Sequence, residues 1–190
     1  MRVLRWVGVS ALLLAACHKA PVPPPIVANG ATDSSGAAPN GGCRADQLTP
    51  VLGREDAGMG HRTVRVQWRN DGEAACRVTG FPAVGLFDSG GVAVAVRVDS
   101  VDGAYLTGSH SVATVTLAPH GVAVFDIGWT VVEGQPGGCV AGRAFRVSVP
   151  GATVAAALPA LAADVKACGA RLTVTPVVAL DSLTPGERDQ

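Results

Sequence analysis

Aromatic residues are scarce in this chain, 4% against 48% hydrophobic residues overall, so a core has to be built mainly from valine, leucine and alanine. Branching at the β-carbon restricts valine's rotamers and suits a pleated surface, so this shortage points toward strands. Lysine is almost missing: Lys19 and Lys166 are the two lysines among 15 basic residues, balanced by 15 acidic ones. With no cationic surplus to meet phosphates, the composition argues against nucleic acid as a partner. A spanning helix needs roughly 20 apolar residues, and charge, glycine or proline interrupts each later apolar run before that length. No CxxC or HxxxH spacing occurs, so no metal site is expected. P-loop, dinucleotide and Gly-x-Ser-x-Gly signatures are likewise missing. The motifs therefore imply no catalytic residue and no cofactor.

What is present begins at the N-terminus. Arg2 and Arg5 form a short basic region, and an apolar run from Val7 to Ala16 follows, the length of a signal-peptide core. The tetrad Leu14-Ala15-Ala16-Cys17 resembles the lipobox of bacterial lipoproteins. That resemblance implies removal of residues 1–16, a diacylated thiol on Cys17 and often an acylated new amino terminus. Small residues before the thiol let the backbone enter the peptidase, and the thiolate is the nucleophile that takes the lipid. Two or three acyl chains hold stably, where one binds reversibly. His18 stands where an aspartate would favour inner-membrane retention, which leans the expected location toward the outer membrane. The alternative is ordinary secretory cleavage near Ala16. Loss of Arg2 and Arg5 leaves 13 basic against 15 acidic side chains, a charge near −2, so the lipid would hold the membrane without polybasic help.

Behind the lipid site, residues 17–42 are rich in proline, glycine, alanine and serine, with no aromatic residue and no periodicity. Such a segment buries too little apolar area to offset its ordering entropy and reads as a tether of roughly 30 Å. Four cysteines remain beyond it: Cys43, Cys76, Cys139 and Cys168. An even count in an exported chain suggests two disulfides, with three connectivities open. Pairing in chain order would close loops of about 30 residues, each worth roughly 3–4 kcal/mol in the chain-entropy model.

Residues 43–176 read as one domain of short strands. Val64, Val66 and Trp68 alternate with Arg65, Gln67 and Arg69, and the "NDGE" turn follows. Cys76 with Val78, Val84 with Leu86, Val92 to Val98, and Val115 with Leu117 continue the pattern. Ala123, Phe125, Ile127 and Trp129 make one face of a strand whose other face carries Asp126, and Phe145, Val147, Val149, Leu172 and Val174 follow. At least seven strands with frequent turns suggest an all-β sandwich or barrel. A helix is expected around Leu158 to Ala167, with Pro159 in its first turn. Residues 177–190 read as a strand end and a loose C-terminal tail.

Several landmarks line up: Cys43, "GMGH" at Gly58 to His61, Asn70 with Gly72, Cys76, Gly80-Phe81-Pro82, Gly90-Gly91, "LAPHG" at Leu117 to Gly121, Trp129 and Cys139. Together they resemble the bacterial family catalogued as domain of unknown function 4232, over most of residues 43–176. The resemblance implies an immunoglobulin-like antiparallel β-sandwich with disulfides and an envelope location, and it brings no activity. Read physically, Gly80 and Pro82 fit a sharp bend, and Pro119 and Gly121 a turn with proline early and glycine late.

Three motifs suggest chemistry. "LFDSGG" around Asp88 resembles an aspartic-protease loop, but that chemistry needs a second carboxylate, and neither Asp126 nor Asp181 lies in such a loop; a hairpin turn explains it better. Met59 beside His61 raises a copper carrier, since thioether and imidazole suit copper, yet His18, His110 and His120 lie in separate stretches. Tyr105, the one tyrosine, sits in the "DGAYLTGSH" loop as an exposed contact or a core cap. The expectation is a lipid-anchored, non-enzymatic binding or interaction module of the cell envelope with an envelope protein as its partner. A copper carrier and a protease-inhibitor-like domain are the alternatives.

Overall fold

The computed structural model describes residues 41–152, 155–161 and 163–188. The expected leader, the lipid site Cys17 and most of the tether lie outside these residues. The longest strands are β1 (Leu48–Gly58) and β2 (His61–Asn70), which form an antiparallel hairpin. Its two-residue turn, Met59-Gly60, has φ of 48° and 80°. Two positive φ values match the right-handed twist of the flanking strands. Glycine adopts that conformation freely; methionine does so at a cost.

Chain order continues through β3 (Cys76–Thr79), β4 (Ala83–Phe87), β5 (Ala93–Val94), β6 (Arg97–Ser100), β7 (Thr114–Leu117) and β8 (Val122–Thr130). Then come β9 (Cys139–Gly142), β10 (Ala144–Ser148), β11 (Ala156–Ala157), β12 (Val165–Cys168), β13 (Arg171–Val174) and β14 (Val178–Ala179). A 3-10 turn (Leu180–Ser182) and one helical turn, α1 (Pro185–Arg188), end the described chain. The larger sheet has the order β1-β2-β8-β13-β6, with β14 also pairing β8. Facing it is a sheet ordered β11-β10-β4-β5, and β3-β7 and β9-β12 form two ribbons.

The molecule is thus an all-β, immunoglobulin-like sandwich braced by two disulfides. Alternation on β2 and β8 puts Val64, Val66, Trp68, Ala123, Phe125 and Ile127 into the core, all at most 1% exposed. Phe145 of β10 meets them from the other layer, its ring 5.8 Å from that of Trp129, while Trp68 and Phe125 pack at 4.8 Å. Full burial of each such side chain contributes roughly 1.5–3 kcal/mol. Cys43 is bonded to Cys76, and Cys139 to Cys168 across the β9-β12 ribbon.

Three expectations need correction. The sandwich is not wholly antiparallel, because β6 and β13 pair in parallel, from Arg97 opposite Arg171 to Ser100 opposite Val174. The region expected to be helical forms none among its described residues. Leu158 donates its N–H to Phe145 O, Leu158 and Leu161 are buried, and Val165–Cys168 is a strand against β9. Pairing and burial there override alanine's helical propensity. Nor is the C-terminal stretch loose as far as it is described. Val177 and Leu183 are buried, β14 pairs β8, and the Arg65 guanidinium donates to the Glu187 carbonyl.

Candidate functional site

The outer face of the β2-β8-β13 sheet is polar, yet it is covered. Across it Thr63, Gly128 and Thr173 lie in register as one row. His61 and Thr130 pair in the next row, and Arg171 sits two residues back along the same face of β13. The segment from Val101 to Tyr105 passes over these rows and closes a half-open cavity of about 230 Å³. Its floor depends on Gly128. A Cβ there would come within 2.6 Å of Thr173 Oγ1 and 3.6 Å of the Ala104 methyl. Arg62, on the opposite face with Trp129, contributes its main chain, its carbonyl oxygen lying 3.7 Å from that Cβ position.

Arg171 Nε meets Asp99 Oδ2 at 3.2 Å, and Arg97 Nε takes the other oxygen of the same carboxylate at 2.6 Å. Two guanidiniums therefore share one carboxylate. Thr63 is 3% exposed, and its Oγ1 has no hydrogen-bond partner among the described residues. A buried hydroxyl in that state costs roughly 1–3 kcal/mol.

At the mouth, Tyr105 stacks on His61 with centroids 3.7 Å apart and planes 11° from parallel. The Tyr105 hydroxyl donates to Met59 Sδ at 3.5 Å. Val132 comes against Gly60, whose carbonyl accepts from Val131 N–H and the Thr130 hydroxyl. Met59, Tyr105 and Val132 are 85%, 59% and 46% exposed, so three large apolar side chains crowd one end of the sandwich. Exposed apolar side chains that cluster in this way are characteristic of binding surfaces.

The other residues singled out from the sequence fall elsewhere. His120 has φ of 63° in the turn between β7 and β8, where Gly121 N–H donates to Ala118 O; Pro119 is exposed in the same turn. Gly80 has φ of 99° at the β3-β4 bend, beside buried Pro82, and its carbonyl accepts from Val177 N–H. His110 Nε2 lies 3.6 Å from Glu187 Oε1. Asp88 Oδ1 accepts from Gly90 and Val92 N–H, so the protease-like loop is a hairpin turn between β4 and β5. Asp181 is exposed, and Asp126 is buried against Arg65. Among the described residues no three His, Cys, Asp or Glu side chains converge as metal ligands, and no helix is long and apolar enough to cross a membrane.

Of the two places the sequence left open for Tyr105, an exposed contact or a core cap, the structure gives an exposed one, against His61 and Met59. Thr63, Gly128, Thr173 and Arg171 were missed, since ordinary residue types far apart in sequence carry no local signal.

The domain is thus a disulfide-braced sandwich with a cleft on one sheet and exposed apolar side chains at the cleft's end. Residues 43–178 match the family described as domain of unknown function (DUF4232), and the chain belongs to that family. No curated protein and no solved structure matches it.

Proposed function

We propose that the protein is a lipid-anchored module of the cell envelope that binds a partner without catalysing a reaction, held by acyl chains on Cys17. The observation that carries the binding half is the clustering of exposed Met59, Tyr105 and Val132 around one cavity mouth. Methionine and tyrosine are favoured contact residues, the first adaptable and the second rigid and amphipathic. The anchoring half rests on Leu14-Ala15-Ala16-Cys17 and on the proline-rich stretch after it. On this reading the partner is an envelope protein reached by the sandwich from its tether, with the outer membrane favoured over the inner. Replacing Cys17 by alanine tests the anchor: the variant leaves the membrane fraction, and a variant that stays there contradicts it.

A copper carrier is the second reading, favoured by one contact. Tyr105 touches both the Met59 sulfur and the His61 ring, gathering a thioether and an imidazole at one tip. Titration with Cu(I) and Cu(II) decides it, and no binding below about 1 µM ends it.

A further inference from the structure

We propose that the cavity under the Val101 to Tyr105 segment is a ligand site for a compact ring carrying a carboxylate at one end and a hydroxyl at the other. The inference rests on the reading of this end as the binding face and deepens it. Three observations fix the chemistry. First, the cavity of about 230 Å³ has room for one ring beside Gly128, against the Ala104 methyl and Tyr105, the space directly over Gly128 being filled by Ala104 and Thr173. Such sites take mostly apolar ligands oriented by a few polar groups.

Second, the charged side chain on the cavity's own face is Arg171, whose Nε holds one oxygen of Asp99 while Arg97 holds the other; Asp102 lies in the covering segment. Asp56 is in register with Thr63 on β1 but does not line the cavity. A guanidinium presents its donors in a planar fork suited to a carboxylate.

Third, Thr63 Oγ1 is buried and unpartnered two strands away from Arg171 and one row deeper. A neighbouring strand is about 4.8 Å away and a two-residue step about 6.8 Å. Arg171 and Thr63 therefore suit the two ends of a para-substituted ring better than one small anion. The Thr63 hydroxyl then donates to, or accepts from, the ligand's hydroxyl, while Arg171 takes the carboxylate.

This chemistry has two sources, a free aromatic acid or the C-terminal tyrosine of a polypeptide. The probes are therefore 4-hydroxyphenylacetate and the peptide Gly-Gly-Gly-Tyr with a free carboxylate. Phenylacetate and 4-hydroxyphenylacetamide serve as controls lacking one end each. They are titrated by ligand-observed NMR into the full-length chain in mild detergent. The acid binds with Kd below about 1 mM and each control binds about tenfold more weakly. Stronger binding of the peptide than of the free acid assigns the site to a polypeptide terminus, and the reverse order assigns it to a small molecule.

Thr63→Val removes the hydroxyl at nearly constant shape. It abolishes the preference over phenylacetate while leaving the melting temperature at or above the parent's. Arg171→Met abolishes the preference over the amide. If neither probe binds below about 1 mM, or both variants keep both preferences, the proposal is overturned. Crosslinking from Tyr105 tests the binding face separately. Adducts there without acid binding overturn the pocket proposal alone.

Discussion

Arg65 and Asp126 meet fork to fork on the outer face of the β2-β8 ladder, Nε to Oδ1 at 2.9 Å and Nη2 to Oδ2 at 3.1 Å. Both side chains are 4% exposed, and the C-terminal stretch closes over them through the Glu187 carbonyl. Thr175 adds to the cover, its hydroxyl accepting from Asp126 N–H at 2.8 Å. Removing one partner leaves an uncompensated buried charge, whereas replacing both by apolar residues need not. Asp126→Ala should lose about 3–5 kcal/mol of unfolding free energy in urea. The double variant Arg65→Met with Asp126→Leu should lose clearly less than either single change. Equal losses in all three would mean that the pair contributes packing rather than charge compensation.

Met59 holds a left-handed conformation in a turn where asparagine or glycine costs less, and it does so with its side chain 85% exposed. Backbone strain retained at an exposed apolar residue suggests a role outside folding. Met59→Gly is therefore expected to raise the thermal midpoint, with a gain of about 0.5–1 kcal/mol, while weakening partner capture. A destabilised Met59→Gly protein would show that the thioether contact with Tyr105 outweighs the strain.

Asn70 is fully buried and joins two turns. Its Nδ2 donates to Ala74 O, Leu117 O and Ala118 O, and its Oδ1 accepts from Gly72 N–H. Asn70→Asp keeps the size but loses the donors, placing a carboxylate against three carbonyl oxygens. It should cost more than Asn70→Ala, itself about 2–3 kcal/mol, when both are measured by chemical denaturation. The opposite order would indicate that filling the space matters more than donating to it.

Glu187 is expected to give the C-terminal cover a pH dependence. Its carboxyl is held below the usual glutamate range first by the Thr184 hydroxyl, then by Thr184 N–H, with His110 and Arg65 adding attraction. Because the folded value is depressed, the contribution is complete above the unfolded value, about 4.3, and is lost as pH falls through the folded one. Hydrogen exchange in residues 177–188 should therefore speed up, relative to the intrinsic rate, below about pH 4. Glu187→Gln should show the faster behaviour already at neutral pH. Identical profiles for the two proteins would remove Glu187 from this role.

Alternation made much of the fold legible. Val64, Val66 and Trp68, like Ala123, Phe125, Ile127 and Trp129, face the core where period-two reading put them. That local rule says which residues share a face and nothing about which strands meet. Arg65 and Asp126 were therefore readable as outer-face residues but not as partners 61 positions apart. Thr63, Gly128 and Thr173 become a site when β2, β8 and β13 align. The alanine-rich stretch before Cys168 misled because helix propensity is weak against a paired strand and a disulfide.

The central claim is that a partner in the envelope is met by the end of the sandwich bearing Met59 and Tyr105. A photoreactive residue placed at Met59 or Tyr105 in the full-length anchored chain tests it inside the cells that make it. Val92, 64% exposed in the β4-β5 turn, serves as the control position. The account predicts a discrete adduct from positions 59 and 105 and none from 92. Adducts of equal yield at all three positions, or none at 59 and 105, would contradict it.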